Sequence, residues 1–307
     1  MSTPFDYQAL LDETLREAKK HGERGQVASY IPELRKADPN MAGIALMTTR
    51  GIFTAGDTAV NFTLQSISKV LTLLLALEHR GVEAVFAKVG SEPTGDSFNS
   101  IVKLETSEQK PLNPMINAGA IAVCSLLPGQ SVEERFGLIA DLLEKILGRP
   151  VQIDESVYRS EKETGHRNRA LAHFLKDIHA LEGDVEEVLD LYFRQCSILV
   201  NCADLARIGM FLAAKGINEA GKPIVSANAV RLVSTFMVTC GMYNGSGEFA
   251  IKVGIPAKSG VAGGILGVVP GRYGVATYGP ALDRKGNSVV GISMLRRLSQ
   301  VLDLSIF

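Results

Sequence analysis

Residues 62–80 read FTLQSISKVLTLLLALEHR, and the change of pattern inside this segment decides the fold. A serine at position 66 opens a run in which Val70 to Leu77 contains one polar residue, Thr72. Such a composition predicts a buried helix over 66–80. The run is far shorter than the roughly 20 apolar residues that a membrane span requires. Helical patterns follow over residues 115–127, 132–147, 163–180, 184–195, 202–215 and 227–239.

Strand-forming sequence lies on both sides of this helical region. Residues 42–48 (AGIALMT) and 52–55 (IFTA) flank a T-R-G turn, which is typical of a β-hairpin. After the helical region, residues 258–270 and 272–279 are rich in glycine and β-branched residues and predict further strands, and we assign a possible strand to 288–294 (SVVGISM). One sheet built from both ends of the chain is therefore expected.

Amphipathic helices are expected at the two ends of the chain. Residues 5–20 carry a helical stripe among charges, formed by Phe5, Leu10, Leu11 and Leu15. The last segment places Leu295, Leu298, Val301 and Leu304 on one helical face. These patterns predict an α+β fold in which terminal helices back an antiparallel sheet.

The chain is expected to form a single domain over 1–307. Its α/β lobe comprises about 1–65 and 245–307, and its helical lobe about 66–244. A binding cleft is expected where the two lobes meet. With 307 residues, 46% of them hydrophobic, the chain is long enough to bury a full-sized core.

Composition excludes several classes of function. The 32 basic and 33 acidic residues nearly cancel, so no positive field attracts nucleic acid or anionic lipid. The N-terminus mixes charges and lacks the apolar core of a secretory signal, which favours a cytoplasmic location. The four cysteines form no C-x-x-C pair and are expected to be buried free thiols. The five histidines are scattered, so neither a metal site nor a cofactor is expected.

The element Ser66-Ile67-Ser68-Lys69 is a candidate nucleophile with its activating amine. At positions i and i+3 of a helix, the Ser66 and Lys69 side chains share one face. The positive end of the helix dipole favours a developing alkoxide and disfavours a charged lysine. The alternative interpretation is an ordinary helix cap followed by a solvated lysine. Ser100 to Lys103 and Ser107 to Lys110 match the same pattern, but they lie in a polar region and open no apolar helix.

Lys258-Ser259-Gly260 opens a predicted strand and matches the K-T-G element that accompanies Ser-x-x-Lys in β-lactamases and penicillin-binding proteins. A strand beside Ser66 would add a second backbone N–H to that of Ser66 and so form an oxyanion hole. The alternative is a plain strand start with a surface lysine. The S-D-N element of those enzymes has no convincing counterpart here.

Tyr243 lies in CGMYNGSGEFA, a loop between a helix and the last strands. A nearby lysine cation would stabilise its phenolate, so Tyr243 beside Lys69 could relay a proton to and from Ser66. A tyrosine packed at the base of a loop is the alternative. The residues alone do not decide whether Lys69 or Tyr243 takes the first proton.

The chain resembles the serine-dependent glutaminases of bacteria and animal mitochondria. The resemblance covers nearly the whole chain, in order, and excludes mainly residues 129–155. Its segments are VASYIPEL (27–34), FTLQSISKV (62–70), GSEPTGDSFNS (90–100), NPMINAGAIAVCSLL (113–127), SEKETGHRN (160–168), YFRQCSI (192–198), SGEFA (246–250) and PAKSGVAGGI (256–265).

This resemblance implies a β-lactamase-like fold that deamidates free L-glutamine without a cofactor. It makes Ser66 the nucleophile, Lys69 its activating partner and Tyr243 the associated acid and base. It further implies a homo-oligomer, a dimer or a tetramer. The residues that it implies for substrate binding are Tyr30, Asn117, Glu161, Asn168 and Tyr192, with the backbone N–H of Val261 completing the oxyanion hole.

Two other functions use the same residues. A penicillin-recognising acyl-transferase or β-lactamase would employ Ser66, Lys69 and Lys258, but the absent S-D-N element argues against it. A non-catalytic interaction module on a retired enzyme fold is the second alternative. Glutamine turnover in a Ser66 variant distinguishes the two: an enzyme that uses Ser66 loses turnover, and unchanged turnover would make the catalytic assignment wrong.

Overall fold

Strands from both ends of the chain form one sheet in the computed structural model, which describes residues 5–20, 25–94 and 110–307. The five-stranded sheet has the order β2-β1-β7-β6-β5, and all neighbouring strands are antiparallel. The strands β3 and β4 pair separately. The predicted antiparallel sheet and its hairpin at 42–55 are confirmed. The strands are β1 (Gly43–Thr48), β2 (Gly51–Gly56), β3 (Phe62–Thr63), β4 (Leu199–Val200), β5 (Ala257–Ser259), β6 (Gly264–Val269) and β7 (Tyr273–Tyr278).

Most helices of the described residues lie between β3 and β5 in the sequence. They are α1 (Tyr7–Lys20), α2 (Ser68–Lys88), α3 (Asn117–Cys124), α4 (Val132–Leu147), α5 (Glu155–Thr164), α6 (His166–Asp177), α7 (Val185–Cys196), α8 (Cys202–Ala213), α9 (Ala227–Cys240), α10 (Ser246–Lys252) and α11 (Val289–Leu302). None of these helices is long and apolar enough to cross a membrane.

The two faces of the sheet belong to different cores because side chains alternate along a strand. On β1, Ile44 and Leu46 pack with Leu11 of α1 and Leu298 of α11. Ala45, between them, faces the larger core formed by the central helices. The terminal helices therefore cover one face, as predicted, and the helical region covers the other.

Helix α8 lies directly on the sheet at Gly274 of β7. A Cβ atom at Gly274 would come within 2.0 Å of the Ala206 carbonyl oxygen, so only glycine permits this approach. Because backbone packs against backbone here, α8 forms the join between the sheet and the other helices.

One strand prediction was wrong, and another segment predicted to form strands divides into two. Residues 288–294 belong to α11, whose first turn is capped by the Ser288 hydroxyl accepting from the Gly291 N–H at 3.1 Å. Valine and isoleucine favoured a strand locally, but burial of one helical face prevailed. Residues 258–270 form two strands, because the chain turns at Gly263 with φ +104°.

The helix predicted over 163–180 is shorter than expected, and a preceding helix was missed. Helix α6 begins at His166, while α5 is a separate helix capped by Asp154, which accepts from the N–H groups of Ser156 and Val157. Its mostly polar sequence hid it from a search for apolar periodicity. Part of the irregular connection predicted at 90–100, together with residues 101–109 of the alternative Ser-x-x-Lys elements, lies outside the described residues.

Candidate active site

Ser66 lies in a tight turn immediately before α2. Residues Gln65–Ile67 form one 3₁₀ turn that runs into the helix, which begins at Ser68 and not at Ser66 as predicted. Gln65 adopts φ +49°, a conformation that costs a non-glycine residue about 1–2 kcal/mol. Its carbonyl accepts from the Ser68 hydroxyl at 2.7 Å. The strained turn presents Ser66, which is 8% exposed, at the positive end of the helix.

Lys69 is buried one turn along the same helix. Its Nζ donates to the Met115 carbonyl at 3.2 Å and to Oδ1 of Asn117 at 2.7 Å. Burial lowers the pKa of Lys69 to about 8. At pH 7 about one Lys69 side chain in ten is therefore a neutral amine, and at pH 8 about half are. The alternative of a solvated lysine is wrong, because the side chain is buried.

Tyr243 occupies a second strained turn, with φ +51°. Its hydroxyl donates to the Ser259 carbonyl at 3.2 Å and is hydrogen-bonded to the Ser66 side chain. Burial raises the pKa of Tyr243, so the phenol keeps its proton. The expected stabilisation of a phenolate by a nearby lysine is therefore wrong, because loss of solvent outweighs it.

The K-S-G strand packs beside the turn that holds Ser66. A Cβ atom on Gly260 would lie 2.7 Å from the Leu64 carbonyl oxygen, so the end of β5 touches the Ser66 turn through backbone atoms. Lys258 is fully buried, and its Nζ donates to the carbonyls of Gly241 at 3.1 Å and Ser259 at 2.8 Å. The same nitrogen lies 4.4 Å from the centre of the Tyr243 ring. Lys258 thus supports the turns on which Tyr243 and the strand end depend.

Glu161 places a buried carboxylate beside this group. It lies on α5, is 6% exposed, and burial raises its pKa to about 7. A hydrogen bond with Gln65 and the charge of Lys69 oppose that increase, so both groups lie near it. Its Oε1 atom has no hydrogen-bond partner among the described residues. Because buried polar atoms are normally paired, this oxygen suits a cationic ligand.

The two asparagines extend the chain of hydrogen bonds from Lys69. While Oδ1 of Asn117 accepts from Lys69, its Nδ2 donates to Oδ1 of Asn168 at 3.1 Å. The oxygen of Asn168 is therefore engaged, and its Nδ2 donors remain suited to an anionic ligand.

Tyrosines complete the surroundings of Glu161. Tyr192 is buried on α7, and Tyr30 is 55% exposed. Burial of the hydroxyl end of each side chain, although much of Tyr30 is exposed, is the main cause that raises its pKa, and the charge of Glu161 adds to the increase. Tyr30 also lines, with Tyr243 and Val261, an open cavity of about 900 Å³. The structure thus connects all the predicted site residues through shared contacts, charges or this cavity.

Sequence reasoning missed two participants. Gln65 contacts Glu161 and precedes Ser66, and its neighbouring position was the available signal. The Met115 carbonyl that accepts from Lys69 is a backbone atom, so no residue type could have indicated it. In the part of the chain that the structure describes, no group of three or more His, Cys, Asp or Glu side chains is placed to hold a metal ion.

Comparison with known proteins gives a consistent result. The family model described as Glutaminase matches residues 25–307. A glutaminase from Alkaliphilus oremlandii is 53% identical over 304 residues, which are 98% of this chain and all of that protein. A glutaminase from Clostridium botulinum is 53% identical over 302 residues, 97% of this chain and 99% of that protein.

Solved structures of such proteins share the fold. A probable glutaminase from Bacillus subtilis complexed with 6-diazo-5-oxo-L-norleucine is 39% identical, with a TM-score of 0.91 over 100% of this chain and 99% of that one. A covalent complex of a Bacillus subtilis glutaminase with 5-oxo-L-norleucine, formed by reaction with the same compound, has a TM-score of 0.89 at 39% identity and covers 98% of this chain and all of that one.

Proposed function

The chain belongs to the glutaminase family, and we propose that it hydrolyses L-glutamine to L-glutamate and ammonia through an acyl-enzyme on Ser66. One observation carries the mechanism. The Ser66 hydroxyl is hydrogen-bonded to Tyr243, with a buried amine one turn along and, nearby, a buried carboxylate whose Oε1 atom has no partner among the described residues. The covalent complex of the Bacillus subtilis glutaminase is consistent with a nucleophilic route.

Lys69 is the base that takes the Ser66 proton. A neutral amine has two N–H donors and one lone pair, and the Met115 carbonyl and Asn117 Oδ1 accept two hydrogen bonds from Nζ. The lone pair then remains for the hydroxyl one turn earlier, on the same helical face. A pKa of about 8 suits a base that works near neutral pH.

Tyr243 is the acid that protonates the departing ammonia. Its raised pKa keeps the phenol protonated, and its hydrogen bond with Ser66 holds it next to the reacting atoms. Attack of Ser66 on the side-chain amide carbon forms an ester and releases ammonia. Water then hydrolyses the ester: the Tyr243 phenolate takes a proton from the water, and the Lys69 ammonium returns its proton to the Ser66 oxygen.

The backbone N–H groups of Ser66 and Val261 form the oxyanion hole. Neither group donates to an acceptor within the described residues. Val261 directly follows Gly260, which touches the Ser66 turn, so the two donors can meet at one oxygen. These donors stabilise the negative charge on the tetrahedral intermediate.

The two ends of the amino-acid group are recognised by opposite charges and dipoles. Glu161 pairs with the α-ammonium through its free oxygen. The amides of Asn117 and Asn168, which are linked by hydrogen bonds to Lys69, donate to the α-carboxylate. Tyr30 and Tyr192 close the pocket around the substrate, and the hydroxyls of both interact electrostatically with Glu161.

We also infer where and how the protein works. All four cysteines are free and buried, which suits a reducing compartment such as the cytoplasm. The family resemblance favours a homo-oligomer of two or four chains. We further propose that the cleft lies between an α/β lobe of about 1–65 and 245–307 and a helical lobe of about 66–244.

Ammonia release from glutamine and from asparagine tests the function. The purified protein should release ammonia from glutamine far faster than from asparagine, whose side chain is one methylene shorter. A metal chelator should leave the rate unchanged. Covalent labelling of Ser66 by a β-lactam, without ammonia release from glutamine, would instead establish the penicillin-recognising alternative.

Replacing Glu161 with glutamine is expected to raise KM for glutamine by roughly 10- to 100-fold, with a smaller effect on kcat, because the ammonium loses its charged partner. Steady-state kinetics at pH 8 measure both constants. An unaltered KM would exclude Glu161 from ammonium recognition.

The same variant is expected to be more stable without substrate. Burial places the pKa of folded Glu161 at about 7, above its ordinary value of 4.5, so folding takes up a proton between these pH values. Stability therefore falls as pH rises through this window, and above it the full cost of the buried charge is present. Glu161→Gln removes roughly 1–3 kcal/mol of that cost at pH 8 and little at pH 4.5. A higher Tm at pH 8 also excludes misfolding as the cause of the KM change.

A further inference from the structure

A carboxylate outside the pocket joins the two helices that carry Glu161 and Tyr192. Asp190 of α7 accepts at Oδ1 from the Tyr158 hydroxyl and, at 2.6 Å, from Nζ of Lys162. Both donors belong to α5, the helix of Glu161. At Oδ2 it accepts from Nε of Arg194, one turn along α7, at 2.7 Å. One side chain thus binds two successive turns of α5 to α7.

The bonds of Asp190 require its negative charge. Burial would raise the pKa of Asp190, but its hydrogen bonds with Lys162 and Tyr158, together with the charge and hydrogen bond of Arg194, outweigh burial and lower it. The group therefore stays ionised between two cations, Lys162 and Arg194. An amide at this position would remove the counter-charge of Lys162 and leave Arg194 with only the exposed Glu133, so the contact between the helices would loosen.

The position of Glu161 depends strongly on where α5 lies. The Oε1 atom of Glu161 has no partner among the described residues, so the carboxylate is held mainly by its helix and by Gln65. At the far end of α5, a Cβ atom on Gly165 would lie 2.6 Å from Cζ of Phe193, so α5 and α7 also touch there. The Asp190 bonds, made by Tyr158 and Lys162, fix the turns on either side of Glu161.

We propose that Asp190 is a positioning residue for the ammonium subsite, because its bonds to Tyr158 and Lys162 set the place of the Glu161 carboxylate. This inference rests on the proposed glutaminase function. It predicts that loss of Asp190 impairs recognition of the α-ammonium specifically. The chemistry at Ser66, which stands on α2, should be little affected.

Two substrates separate recognition of the ammonium from the rest of catalysis. They are glutamine and glutaramate, which is glutamine without its α-amine. In Asp190→Asn, the ratio of kcat/KM for glutamine to that for glutaramate should fall on the order of tenfold. The value of kcat/KM for glutaramate should stay within about twofold of wild type. If the role of Asp190 were merely structural, kcat/KM would fall equally for both substrates and the ratio would stay unchanged.

Two further variants complete the test. Glu133→Gln removes the exposed partner of Arg194, at 3.2 Å, and should leave the ratio at the wild-type value. Tyr158→Phe removes a single bond to Asp190, is the gentler substitution if Asp190→Asn does not fold, and should lower the ratio less. An unchanged ratio in every folded variant overturns the inference while glutamine turnover by the wild type still stands. A wild type that releases no ammonia from glutamine overturns the proposed function, and the inference with it.

Discussion

Replacing Ser66 with alanine is expected to lower kcat for glutamine by at least about 10⁴-fold, as removal of a serine nucleophile does in other hydrolases. The neighbouring Tyr243 hydroxyl does not replace it, because the phenol keeps its proton and donates to the Ser259 carbonyl. Ammonia release at saturating glutamine measures the loss. The variant should still fold, since removing the Ser66 hydroxyl leaves no large cavity.

Ser125→Ala is a matched control for this experiment. Ser125 is equally buried, and its hydroxyl donates to the Ala122 carbonyl at 2.7 Å at the end of α3, away from the proposed machinery. This variant should keep kcat within about threefold of wild type. Full glutamine turnover by Ser66→Ala would leave a non-catalytic fold or another nucleophile as the explanation.

Replacing Lys69 with methionine is expected to lower kcat by about 10³-fold, because it removes the proposed base while keeping the apolar stem of the side chain. The pH dependence gives a second readout. In the wild type the active form is the neutral amine, whose fraction falls about tenfold per pH unit below a pKa of about 8. The kcat at saturating glutamine, where the ammonium occupies Glu161, should therefore rise with pH and level off above 8.

The Lys69→Met variant should lose this slope. If the slope persists with its midpoint unchanged, Lys69 is not the base, and it serves only to order the turn. Methionine suits this test because it removes the buried amine and its hydrogen bonds to Met115 and Asn117 without opening a large cavity.

The sheet and most central helices could be predicted because their sequences agree with their environment. The run from Val70 to Leu77 is apolar because α2 is surrounded by core, and 42–48 alternates between the two cores of the sheet. Prediction failed where local and tertiary preferences disagree. Val289 and Val290 favour a strand locally, yet they open α11 because Met294, Leu295 and Leu298 bury one helical face.

Helix α5 shows a different limit. Its buried side chains are few and include Ser160 and Glu161, so no apolar period reveals it. Asp154, which accepts from the N–H groups of Ser156 and Val157, was the readable signal for its start. The helix is polar because it carries the buried Glu161, which we propose binds the substrate, and because Tyr158 and Lys162 bond to Asp190.

For the candidate site, motif spacing was enough to propose Ser66, Lys69 and the K-S-G strand. Glu161, Asn117, Asn168, Tyr192 and Tyr30 came only from family resemblance, because their roles depend on burial and on neighbours distant in sequence. The interactions of Lys69 with Met115 and of Gln65 with Glu161 arise only after folding. No pattern of residue types contains them.

The sheet order has a consequence for synthesis. Strand β1 lies between β2 and β7, and Gly43 pairs with Tyr278. One edge of β1, which is synthesised early, therefore stays unpaired until β7 is synthesised near the end. Until β7 emerges from the ribosome, the nascent chain exposes the unpaired edge of the β1–β2 hairpin, which invites aggregation. A chain truncated before β7 should be both insoluble and inactive, since β5 and β6 would lack the partner that joins them to the rest of the sheet.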